Sequence, residues 1–158
     1  MTSEDDRSTP LGLFHFARTY WQSAVALHYV KVPCTHPHAP ITLLLAHAIE
    51  LYLKAFLRAK GMGISELKTR FGHNFRALLE EAAAQGLTTS DEEKEISDLL
   101  TEQESIRRSR YIETGYFQRL PLAVLSRMCR NLDDRLSDEL RAGGTAVRSI
   151  ELRHIEKE

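Results

Sequence analysis

The chain has 158 residues, 42% hydrophobic and 27% charged, which fits one globular domain and excludes a disordered chain. Its 21 basic and 22 acidic residues leave a net charge of -1, so the protein as a whole sets up no attractive field for nucleic acid. Cys34 and Cys129, far apart in the chain, read as reduced, unbridged thiols.

Residues 1–10 are acidic and polar and read as a disordered lead ending at Pro10. They lack the character of a secretory or organelle-targeting segment, so the expectation is a cytoplasmic protein. From Leu11 to about Val32, apolar residues at Phe14, Ala17, Trp21, Ala24 and Leu27 recur at helical spacing and predict a first amphipathic helix. Three prolines in residues 33–40 stop it. The second helix is predicted from about Ile41 to Lys60, with Gly61 as its stop. It is apolar on nearly every side, but His47, Glu50 and Lys54 along its length argue for a buried core helix rather than a membrane span. His47, Glu50, Lys54 and Arg58 share one face, and Glu50 four residues before Lys54 is the favourable order for an ion pair.

Residues 61–73 read as a loop, followed by a short third helix from Asn74, as cap, to Gln85. Ser90 and Glu93 form a capping box that opens a fourth helix over residues 91–112. Pro121 opens a fifth helix running to about Arg141, with a seam of Leu122, Leu125, Cys129, Leu132, Leu136 and Leu140. Gly143–Gly144 then separate a charged tail, residues 142–158. The pattern predicts an all-α domain over residues 11–141: an up-and-down antiparallel bundle of four long helices plus one short helix.

The phrase AHAIELYLKAFLRAKG (46–61), coupled to GHNFRALLEEAAAQG (72–86), resembles the HEPN family, the higher eukaryotes and prokaryotes nucleotide-binding domains. That family pairs an A-x-E-x-x-L-K-A helix with a G-H-D/N-L segment. Ala17, Tyr20, Trp21 and the Arg110–Tyr111 step fit the same pattern, and the match spans roughly residues 11–140. The resemblance implies a HEPN-like bundle, a homodimer, and RNA or nucleotide as ligand. It also implies a cognate protein partner within a defence or toxin–antitoxin system. It marks Glu50, Lys54, His73 and Asn74 as the motif residues and brings no cofactor with it.

Catalytic members carry an arginine followed, after four to six residues, by a histidine that acts as general acid or base while the arginine stabilises phosphate charge. Arg110 stands at the arginine position, but Gly115, Tyr116 and Phe117 occupy the places of the histidine. Tyrosine, with a pKa near 10, is a poor base at neutral pH, so the expectation is a non-catalytic module. Arg110 with Tyr116, Glu50 or His47 as a substitute acid–base group is the ribonuclease alternative, and a dimerisation scaffold is a third. Arg148 and His154 have the literal spacing but lie beyond the glycines, outside the predicted bundle.

Arg107, Arg108, Arg110 and Arg119, with Lys54, form the candidate phosphate-binding set. Arg110 continues the apolar stripe of Ile96, Leu99, Leu100 and Ile106, where a guanidinium needs a carboxylate or a phosphate. Tyr111, Tyr116 and Phe117 beside it are candidates to stack on bases or to fill the core. No metal site is expected. Cys34, His36 and His38 fall short of a four-ligand zinc set and read as a rigid proline loop.

Overall fold

Seven helices occur among the described residues. They are α1 (Glu4–Arg7), α2 (Pro10–His28), α3 (His38–Ala59), α4 (Ile64–Arg70), α5 (Phe75–Ala84), α6 (Asp91–Arg108) and α7 (Leu122–Ala142). The structure is a computed structural model that describes residues 3–108 and 120–157, with residues 105–108 given as helix backbone alone. No strand occurs among the described residues, and the fold is an all-α helical bundle.

The expected arrangement of four long helices plus one short one is overturned by α1 and α4. Both are too short to carry a periodic apolar stripe, and both are held by partners distant in sequence. Ser3 caps α1 in a reciprocal box with Asp6. Asp5 then reaches across to α4, where its carboxylate accepts from Ile64 N at 2.7 Å. Gly63 at that helix start has no side chain to do so, so the acidic lead supplies the missing cap. Arg58 on α3 donates to Ser8 O and Asp5 O, and Lys68 pairs with Glu4. Residues 3–8 are therefore fastened to α3 and α4.

Thr9 caps α2, accepting from Gly12 N at 3.0 Å, and Pro10 takes the first helical position. The helix ends at His28, four residues before the predicted Val32. Helix α3 starts at His38, three residues before the predicted Ile41. Pro40 is tolerated there because first-turn N–H groups have no intrahelical acceptor.

Helix α3 is central: it packs on α2, α7 and α5, while α6 packs on α5. By length and composition it could cross a membrane. Here it is the core helix, with Leu45, Ile49, Tyr52, Leu53 and Leu57 at zero exposure. These meet Phe14 and Trp21 of α2 and Leu122, Leu125, Cys129 and Leu132 of α7, all equally buried. Side chains of this size contribute about 1.5–3 kcal/mol each on leaving water.

The capping box of α6 does more than close the helix. Glu93 accepts from Ser90 N at 3.0 Å and also takes Arg135 Nη1 of α7 at 2.9 Å, while almost fully buried. Ile96 and Leu100 of the predicted stripe are buried, Leu99 is partly buried, and the Ile106 side chain is outside the described residues.

The tail after α7 is not outside the bundle. Gly144, at φ +86°, turns the chain back, a conformation that favours glycine. Residues 145–157 then run along α2 as a strap. Arg18 Nη1 donates to Arg148 O, and Gln22 both donates to Arg153 O and accepts from Arg153 N. Tyr29 donates to His154 O, and Ile155 is buried at 3% exposure.

Candidate functional site

The predicted polar stripe of α3 divides three ways. His47 lies edge-on to the Tyr20 ring at 4.5 Å, and Arg58 fastens the N-terminal lead. Glu50 and Lys54 remain together, with Lys54 Nζ donating to Glu50 Oε1 at 2.6 Å. His73, from the turn between α4 and α5, joins them. Its Nδ1 lies 2.9 and 3.0 Å from the two oxygens of the same carboxylate.

The Gly-His-Asn phrase explains how His73 arrives. Gly72 takes φ +54°, which turns the chain sharply out of α4. Asn74 then caps α5, its side chain accepting from Ala77 N at 3.0 Å. Between a left-handed glycine and a fixed cap, His73 is held against α3.

Glu50 is 5% exposed. Burial pushes its carboxyl up, but the hydrogen bonds and charges of Lys54 and His73 outweigh burial and hold it below the ordinary range. An ionised carboxylate has no proton to give, so His73 Nδ1 is the donor. Nε2 is then the nitrogen left for the outside, on a side chain 46% exposed. The arrangement is a buried anion orienting a half-exposed imidazole, with an ammonium at its flank. It can present an N–H to an oxyanion when His73 is protonated, or a lone pair when it is neutral.

A depressed carboxyl adds stability that is present above its unfolded value of 4.5 and is lost as pH falls through the lower folded value. Wild-type protein is therefore expected to lose stability on acidification below about pH 4.5 more steeply than Glu50→Gln. Urea midpoints measured across that window check this; parallel curves sink it.

The arginine set is not brought to this site by anything described. Arg110, Tyr111, Tyr116, Phe117 and Arg119, and the side chains of Arg107 and Arg108, lie outside the described residues. Cys34 is exposed, and among the described residues no group of three His, Cys, Asp or Glu side chains is placed to hold a metal. The literal Arg148 and His154 pair is separated by the strap. Its two backbone carbonyls bond to Arg18 and Tyr29, at positions about 16 Å apart along α2 at 1.5 Å per residue. On an extended strap that spacing does not bring the side chains together as it does on a helix.

A second polar cluster escaped the sequence reading. Arg18 on α2 donates Nε and Nη2 to the two oxygens of Asp133 on α7, at 2.9 and 2.8 Å. Tyr52 of α3 donates to Asp133 Oδ2 at 2.7 Å. The Asp133 hydrogen bond raises the Arg18 guanidinium further, and burial beside Asp133 pushes the Tyr52 phenol up, so both keep their protons. Nearby, Cys129 is wholly buried and held well above the ordinary thiol range, a neutral side chain turned to Leu45 O. This cluster joins three helices in the interior and does not reach solvent as His73 does.

Compared with protein-family models, with curated proteins and with solved structures, the chain has no match in any of the three.

Proposed function

We propose that this chain is an RNA- or nucleotide-associated module of the HEPN kind that binds without cleaving, works as a homodimer, and serves a defence or toxin–antitoxin pair. One observation carries the reading. The two separate phrases behind the resemblance, the Glu50–Lys54 helix and Gly72-His73-Asn74, meet on a single buried carboxylate. Sequence similarity that closes into one contact supports a common design, and the Lys54 ammonium brings positive charge to its flank.

The test is incubation of wild-type and Arg110→Ala protein with a mixed RNA pool, reading retention and cleavage together. The expected outcome is salt-dependent retention without cleavage, with Arg110→Ala lowering the slope of log affinity on log salt by about one. Absence of retention sinks the binding reading. Light scattering at micromolar concentration reads the dimer in the same preparation, and a monomer removes that part of the proposal.

A ribonuclease is the second reading, favoured by the Glu50–His73 geometry: a carboxylate that fixes an imidazole tautomer is how a general base is oriented. RNA turnover that disappears in His73→Gln replaces the binding reading with this one.

A further inference from the structure

The strap is held by its main chain and by a row of aliphatic side chains. Gln22 closes on both the C=O and the N–H of Arg153, at 3.0 and 2.9 Å, as a neighbouring strand would. Arg18, Tyr29 and Ser126 take the main-chain groups of Arg148, His154 and Ile155. Ile155 is buried, and Val147 and Leu152 pack partly buried against the core. Among the described residues, the charged side chains of the strap make no ion pair with the bundle. The groove between α2 and α7 therefore reads an extended segment through backbone bonds and aliphatic anchors, a mode in which peptides of other chains are also held.

We propose that the occupant of this groove is exchangeable, and that two copies of the chain dock by trading straps. The inference rests on the homodimer part of the proposed function and names the surface that forms it.

The segment that fits the groove is the one seated there, and a second copy carries the same segment. It is joined to α7 by a hinge of exposed residues, 141–144, with Gly144 at φ +86°. Ile155 N meets Ser126 near the start of α7, so the closed strap reverses and runs back along the helix it has just left. That reversal requires a left-handed residue, which glycine supplies without steric cost. An extended hinge instead carries the strap away from its own bundle. Docked on a partner, it forms every groove contact again, and reciprocal exchange closes the pair about a two-fold axis.

The test is a dilution series of the full chain by light scattering, wild type against Gly144→Val. A Cβ at residue 144 meets no atom within 4 Å, so the change acts on the backbone alone. A β-branched residue at φ +86° strains the closed hinge and not an extended one, by about tenfold in the equilibrium for each hinge. With two hinges per pair, the dimer dissociation constant is expected to fall about hundredfold. Gly143→Ala, at an ordinary φ of -79°, is expected to leave it unchanged. An excess of a synthetic peptide of residues 145–157 is expected to split the Gly144→Val dimer into peptide-filled monomers. The same peptide carrying Ile155→Asp is expected to leave the dimer whole. A dimer whose constant Gly144→Val does not change, or that the peptide does not split, overturns the exchange while the homodimer stands. Monomers of both proteins at every concentration overturn the two together.

Discussion

Asp133→Ala is expected to lower the free energy of unfolding by about 3–5 kcal/mol, the cost of leaving a buried charge without its partner. Asp133 is 2% exposed and is the acceptor for both the Arg18 guanidinium and the Tyr52 hydroxyl. Removing it strands a cation between α2 and α7 and a phenol on α3 at once. Arg18 also lies over the Phe14 ring at 4.6 Å, a contact that stabilises the cation but supplies no acceptor. Urea unfolding gives the number. The triple variant Arg18→Met, Asp133→Leu, Tyr52→Phe separates two explanations. Recovery of most of the loss identifies the stranded charge as the cause; no recovery points instead to the cavity left by a smaller side chain. An Asp133→Ala loss below about 1 kcal/mol contradicts the buried pair itself.

That cluster also shows where sequence reading stops. The long helices were legible because α2, α3 and α7 repeat their apolar residues at steps of three and four. Asp133 stands four residues after Cys129 and three before Leu136, inside the α7 seam, and Arg18 lies four after Phe14 and three before Trp21. A charge on each of two core-facing stripes was the available signal, and ordinary practice assigns such charges to solvent. Glu50 and Lys54, four apart on one helix, were legible as a pair for the same local reason. The contact of Glu50 with His73 spans two helices and a turn, and no periodicity encodes it. Helix α4 was missed because seven residues are too few to show a period, and because its cap comes from Asp5, 59 positions away.

Loss of the strap is the second large expected effect. Ile155→Ala is expected to cost about 2–5 kcal/mol, as for other large-to-small core changes, although Ile155 sits in a segment without regular structure. Removal of residues 145–158 is expected to cost at least as much. It takes away Ile155 and also exposes Trp21, and it leaves Arg18, Gln22, Tyr29 and Ser126 each short of a main-chain partner. Those groups regain water where the surface opens, so their loss adds less than the lost apolar burial. Urea midpoints of the two variants give the magnitudes. Hydrogen exchange gives the location, because slowed exchange at Ile155 N requires its bond to the buried Ser126 hydroxyl. A truncated protein with an unchanged midpoint contradicts the docked strap. If the strap holds, the charged tail is the last layer of the core, fastened through its own backbone. Its side-chain pattern could not announce that, because backbone carbonyls and N–H groups are the same in every sequence.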